Sequence, residues 1–170
     1  ADALLDSVPV VAITGQVSQA VAGTDAFQEV DVLGLSLTVT KHSFLVKNVH
    51  DLADTLREAF RLAQSGRPGP VLVDIPKDVQ LAQVDYIAPR TLAVVDTKHT
   101  ALPLQQLELA RELIASAKKP IAYIGGGVHL AGALAELNDF LKTTGMPSVT
   151  TLKAMGSVDK NNPYYLSMLG

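Results

Sequence analysis

The sequence predicts an α/β fold in which parallel sheets are flanked by helices. Three observations predict it. Short apolar runs at 8–13, 43–46 and 71–75 alternate with segments of helical periodicity, a β-α-β-α-β order that favours a parallel sheet. The run at 8–13 lacks the apolar–polar alternation of a half-exposed strand. Downstream, a strand–glycine–helix–strand series from 121 to 151 gives a second α/β unit.

Each element has a local reason. The run 8–13, bounded by Pro9 and Gly15, reads as a buried strand rather than an edge. "GTDAFQEVDVLGL" supplies a short helical pattern, with Thr24 or Asp25 as N-cap and Glu29 in the first turns. Residues 43–46 form the next strand. From Asp51 a helix is well specified, because Leu52, Thr55, Leu56, Ala59, Phe60 and Ala63 recur at helical spacing. Gly66 stands where a left-handed residue would end it, and Pro68 prevents continuation. Strand 71–75 follows. The stretch 83–103 has no single period and contains two prolines, so it reads as an interdomain linker centred on 86–100, with 92–95 able to pack locally. Pro103 then suits the first turn of a helix whose apolar face is Leu107, Ala110, Ile114 and Ala117, ending at Lys118-Lys119-Pro120. A strand at 121–124, the triplet Gly125-Gly126-Gly127, a helix at 131–143, a turn at Gly145 and a strand at 148–151 complete the series. The domains are therefore expected at 1–85 and 101–170.

Composition narrows the function. The 170 residues carry a net charge of -3, against nucleic acid as a partner, since phosphate binding needs clustered cations. Lys118-Lys119 is the sole adjacent basic pair and reads as a helix terminus. With no cysteine, neither a disulfide framework nor a thiolate metal site can form. His42, His50, His99 and His129 share no metal-ligand spacing, so no metal site is expected here. No G-x-S-x-G elbow supports a nucleophilic hydrolase. The run 8–13 falls far short of the roughly 20 residues of a membrane helix, and no signal peptide is visible. The chain opens without methionine and closes in apolar text, which reads as an internal fragment of a longer polypeptide.

Three motifs could carry chemistry. In "YIGGGVHLAGAL" a strand runs into glycines and then a helix, which lets backbone N–H groups approach a phosphate. Gly125 and Gly127 fit the dinucleotide fingerprint, but Leu130 occupies its third glycine position, and "PSVTTLK" offers no acid for a ribose. A pyrophosphate held in another manner and a turn that needs glycine for sterics alone both stay open. In "GTDAFQE", Asp25 and Glu29 could pair as acid and base, though complementing a helix dipole explains their spacing as well. Phe27 is by type a core residue, and Gln28 is an odd neutral amide in apolar surroundings. Arg67 and Lys77 flank the strand 71–75, and open α/β sheets keep ligands at the carboxyl ends of strands, where Lys77 stands. Prolines beside Arg67 stiffen its loop. The two cations read either as an anion-binding pair or as solvated charges.

Seven blocks, "PVVAITGQV", "GTDAFQEVDVLGLSL", "TKHSFLV", "AFRLAQSGRPGPVLVDIPKDVQ", "YIGGGV", "TLKAMGSV" and "YYLSMLG", closely resemble successive stretches of acetohydroxyacid (acetolactate) synthase catalytic subunits. The resemblance covers essentially the whole chain and is weakest in the linker. It implies parts of two Rossmann-like three-layer domains: the later half of a pyrimidine-binding domain and the first half of a central FAD-binding domain. It implies a thiamin-diphosphate enzyme that condenses two 2-oxoacids with loss of carbon dioxide, for branched-chain amino acid synthesis in the cytoplasm. Phe27 and Gln28 would line the substrate side of the active site, and Lys77 the mouth of its channel. Arg67, Gly125, Gly126, Gly127, Thr151, Leu152, Lys153, Leu169 and Gly170 would contact FAD, whose role in this family is structural. Lys153 stands where methionine is commoner, which implies contact through its backbone; Ser18 stands where proline is frequent. The family's cofactor-activating glutamate would lie before Ala1, and its magnesium and diphosphate motif beyond Gly170. This stretch would thus supply no catalytic carboxylate and no metal ligand. The resemblance also implies a homodimer or tetramer, with a small regulatory subunit as a further partner. The competing reading is a non-catalytic flavin- or nucleotide-binding module.

Overall fold

The computed structural model describes residues 1–85 and 103–169. The chain divides into two compact units, Ala1–Lys98 and His99–Gly170. The stretch 86–100, read as a linker, lies outside the described residues.

The first unit runs α1 (Asp2–Leu5), β1 (Val10–Gln16), a 3-10 turn (Gln19–Val21), α2 (Val32–Ser36), β2 (His42–Leu45), α3 (Val49–Gln64), β3 (Pro70–Pro76) and α4 (Lys77–Leu81). Its three strands are parallel in the order β1-β3-β2, with Thr14 and Leu45 both level with Asp74. The central strand β3 is buried along its whole length, as its apolar run demands. Strand alternation sends Val71, Val73 and Ile75 to one face, where they pack with Ala59 and Ala63 of α3. Small residues let that helix lie close, and each fully buried valine is worth about 1.5–3 kcal/mol. Leu72 and Asp74 take the other face. There Ser43, level with Leu72, puts its hydroxyl 2.7 Å from that of Ser36 in α2. Helices therefore cover both faces. Asn48 caps α3 by accepting from the His50 N–H, and Gly66 follows its end with φ of 53°.

Two expectations change here. Strand β1 is an edge of the described sheet, and Ile13 is 60% exposed. An apolar run shows that a strand could be covered; only its neighbours decide whether it is. The helical pattern from Thr24 onward is a turn, and α2 begins only after Asp31, whose carboxylate accepts from the Gly34 N–H. Asp25 and Gln28 adopt φ of 57° and 66°, which no right-handed helix allows. Glu29 therefore does not complement a helix dipole with Asp25: its carboxylate accepts N–H bonds from Gly23 and Ala26 and closes the turn.

The second unit runs α5 (Leu104–Ser116), β4 (Ala122–Ile124), α6 (Gly127–Leu130), α7 (Leu134–Thr144), β5 (Ser148–Thr150), a 3-10 turn (Leu152–Ala154) and β6 (Tyr165–Met168). Its strands are parallel in the order β4-β5-β6. Leu141 of α7 packs with Ile124, Met146, Ala154 and Val158 to form the core. Gly145, with φ of 60°, ends α7 as its place in the sequence predicts. The helix expected over 131–143 starts later, because Gly132 breaks it from α6 with φ of 66°. Helix α5 ends at Ser116, short of Lys118-Lys119, and buries none of Leu107, Ala110 and Ile114. Its apolar face thus has no core to join among the described residues. Strand β6 is an addition to the predicted elements. No helix of the described residues is long and apolar enough to cross a membrane.

Candidate functional site

At the carboxyl ends of β1 and β3 lies a cleft of about 450 Å³, lined in part by Gln16, Val17, Ser18, Phe27, Gln28 and Lys77. The three residues implied as substrate-binding, Phe27, Gln28 and Lys77, thus share one cavity. Buried β3 stops at Pro76, and Lys77 opens α4 with an exposed side chain. A cation there runs against the local helix dipole, a cost of about 0.3–1 kcal/mol at most. Its ammonium makes no ion pair among the described residues. Phe27 is 89% exposed, which removes the core role its type suggests. Gln28 holds a left-handed backbone that costs a non-glycine residue about 1–2 kcal/mol. An exposed aromatic, a residue on a left-handed backbone and a cation in no ion pair among the described residues thus line one cleft, an arrangement that core packing does not require.

The walls are fixed by polar contacts. Asp78, next to Lys77, accepts from the backbone N–H of Gln19 at 3.1 Å and from its side-chain amide at 2.9 Å. These bonds hold the Asp78 carboxyl below its ordinary range and tie the 3-10 turn to α4. The Gly23 and Ala26 N–H groups likewise lower Glu29. Gln16 was not singled out in the sequence. Its amide donates 2.8 Å to the Val30 carbonyl and 3.3 Å to the Asp74 carboxylate, while its oxygen accepts from the Val17 N–H. The legible signal was Asp74, an acid within an otherwise apolar, fully buried strand.

In the second unit the loops after β4, β5 and β6 leave the carboxyl edge of one sheet. Gly125, Gly126 and Gly127 follow β4; Thr151, Leu152 and Lys153 follow β5; Leu169 follows β6 and donates its N–H to the Thr150 carbonyl at 3.1 Å. Thr151 donates its N–H to the Ile124 carbonyl at 2.9 Å, tying the start of the second loop to the end of β4. A Cβ on Gly126 would lie 2.9 Å from Cβ of Lys153, so this glycine is required by close approach. A Cβ on Gly125 or Gly127 would meet nothing within 4 Å, so these two leave bare backbone facing open space. Gly170 lies outside the described residues.

Arg67 and Lys77 do not form one anion site. They stand at opposite ends of β3, whose seven residues span roughly 20 Å. The Arg67 guanidinium donates to the Ser7 hydroxyl and the Leu5 carbonyl, each at 2.8 Å.

Comparison with known proteins follows the same division. Residues 107–170 match the family described as thiamine pyrophosphate enzyme, central domain. The whole chain is 57% identical to the acetolactate synthase isozyme 2 large subunit of Escherichia coli (strain K12), covering 30% of that protein. It is 51% identical to the acetolactate synthase large subunit of Corynebacterium glutamicum, covering 27% of it. It is 46% identical to acetolactate synthase 2, chloroplastic, of Nicotiana tabacum, covering 26% of it. The chain is homologous to acetolactate synthase large subunits. It spans less than a third of their length. Among these homologues the alignment takes in both the cleft of the first unit and the glycine edge of the second, since all of this chain is matched.

Proposed function

We propose that this chain works within a longer polypeptide as part of an acetolactate synthase. In the reaction one 2-oxoacid, pyruvate, loses its carboxyl carbon as carbon dioxide, and the remaining two-carbon acyl unit bonds to the carbonyl carbon of a second. That second molecule is pyruvate or 2-oxobutyrate, and the products feed valine, leucine and isoleucine synthesis. The observation that carries the reading is the meeting of Phe27, Gln28 and Lys77 in one cleft. The Lys77 ammonium suits an oxoacid carboxylate as a point charge. The Gln28 amide can hydrogen-bond the carbonyl oxygen, and the Phe27 ring offers an apolar wall to the methyl end.

Thiamin diphosphate, when bound, supplies a carbanion that stores the acyl unit. Its magnesium and diphosphate ligands are expected outside this stretch. FAD fits the second unit, where bare backbone at Gly125 and Gly127 faces open space beside the loop 151–153. The resemblance also assigns Leu169, Gly170 and Arg67 to the flavin. There the flavin serves as structure. A homodimer or tetramer, a small regulatory subunit and a cytoplasmic setting complete the reading, the last in keeping with the lack of cysteine.

The test is acetolactate formation by the full-length protein with pyruvate, thiamin diphosphate, magnesium and FAD. Lys77→Ala should lower kcat/KM about 10- to 100-fold, the worth of a charge-assisted contact. Flavin fluorescence should be quenched on binding, and less so in Gly125→Val. An active enzyme indifferent to both Lys77→Ala and Gln28→Ala would overturn the cleft assignment. Flavin binding without acetolactate formation would favour the non-catalytic module.

A further inference from the structure

We propose that Gln16, held by the buried carboxylate of Asp74, is a positioning residue that sets the turn carrying Phe27 and Gln28. The inference rests on the substrate role given to that turn. Asp74 is fully buried at the centre of the sheet, and two donors reach it from β1: the Thr14 hydroxyl at 2.7 Å and the Gln16 amide at 3.3 Å. Strand alternation puts Thr14 and Gln16 on the face of β1 that looks toward Asp74. The second N–H of the same Gln16 amide reaches out of the sheet to the Val30 carbonyl at 2.8 Å. Its oxygen is occupied by the Val17 N–H at 2.9 Å, so the amide has one orientation that satisfies every partner.

The turn itself is closed upon Glu29, which binds the N–H groups of Gly23 and Ala26 and sends its own N–H to the Ala26 carbonyl. Those bonds are internal. They give the turn its shape without fixing it over the cleft. Of the bonds described, the one from Gln16 to Val30 joins the far end of this turn to the sheet, two residues beyond Gln28. Gln16 also lines the cleft on one side and a second hollow, with Glu29 and Val30, on the other. One residue thus borders both hollows. Removing its amide would free the far end of the turn from the sheet, so that its internal bonds open more often and Phe27 and Gln28 drift from Lys77.

The experiment uses full-length protein. Gln16→Met keeps length and volume but removes the amide. Hydrogen exchange of the peptide covering 22–31 should speed about tenfold in this variant, while that covering β3 stays unchanged. In steady-state kinetics KM for pyruvate should rise about tenfold with kcat within about threefold. Unchanged exchange at 22–31 would overturn the proposal whatever the activity. If Gln16→Met loosens β3 as well, Thr14→Val decides, since it removes the other donor to Asp74 and keeps the bond to Val30: loosening of 22–31 in Gln16→Met beyond that in Thr14→Val supports the anchor, and equal loosening refutes it. Gln28→Ala and Lys77→Ala separate the two readings. If they alter KM and Gln16→Met does not, the anchor alone fails. If none of the three alters KM while exchange still rises at 22–31, the substrate role of the turn fails instead.

Discussion

At the carboxyl edge of the first sheet the groups that face open space are side chains: Phe27 and Gln28 on a strained turn and Lys77 at a helix start. At the carboxyl edge of the second they are backbone, bared at Gly125 and Gly127. The contrast teaches that the two kinds of edge need different support. Long side chains must be held from behind, and here Gln16, Glu29 and Asp78 fix the surrounding backbone and turns with hydrogen bonds. Bare backbone needs only clearance and a firm strand beneath it. Gly126 gives the clearance, allowing Lys153 to come close, and the Leu141 core gives the firmness.

The largest effect should come from that core. Leu141→Ala deletes the bulkiest fully buried side chain of the second unit and should cost about 2–5 kcal/mol, read by urea unfolding. A loss below 1 kcal/mol would mean that the glycine edge stands on something other than α7. Next comes clearance. Gly126→Ala sets a methyl 2.9 Å from Lys153 and should destabilise by about 1–3 kcal/mol. Gly127→Ala, in open space within α6, should cost nothing and can gain up to about 1 kcal/mol of helix propensity. Equal melting temperatures for the two would show that the glycines serve one purpose, contrary to the contrast drawn here.

Much of this was legible in the residues. Periodicity gave α3, and the buried apolar run gave β3; Gly66 and Gly145 marked helix ends because a left-handed residue has few other uses there. The place of Lys77 at the cleft was legible because it follows the carboxyl end of a strand, the edge at which open α/β sheets leave crevices. What misled was chemistry with two meanings. Glu29 after Thr24 and Asp25 reads as a helix start, yet a carboxylate that can accept N–H bonds closes a turn equally well. The exposure of β1 depends on neighbours that its own letters cannot name. Gln16 stayed hidden because its partners are 14 and 58 residues away. Strand β6 begins after Asn162-Pro163, contains Ser167 at φ of 71° and is largely exposed, so it shows no periodic signal.

A smaller effect tests the side-chain edge. Gln28 holds φ of 66°, a conformation that glycine adopts freely. Gln28→Gly should therefore leave stability unchanged or raise it by up to about 1 kcal/mol, while weakening pyruvate binding in the full-length protein. Gain in one measurement with loss in the other is the mark of strain kept for a site. If the variant is both less stable and fully competent, the turn has no functional reason for a side chain at that position.

The smallest effect is a matter of pH. Glu29 is pulled below its ordinary 4.5 chiefly by the Gly23 N–H, then by that of Ala26. Its lowered value means that the carboxylate's contribution to the turn is fully present above the unfolded pKa, near 4.5, and is lost as pH falls through the lower folded value. Because the half-buried group closes a single surface turn, the global stability should hardly respond; the response should be local. Amide resonances of Gly23 and Ala26 should hold steady from pH 7 to about 4.5 and then move together in a single titration below it. In Glu29→Gln, which can accept one of the two bonds but carries no charge, that shared step should vanish. The glycine edge offers the control, because no carboxylate accepts from the N–H groups of Gly125, Gly126 or Gly127 among the described bonds, so their resonances should pass through the same range without a matching step. A common step at both edges would mean that acid loosens the protein as a whole, and the carboxylate would then lose its claim to hold one turn in place.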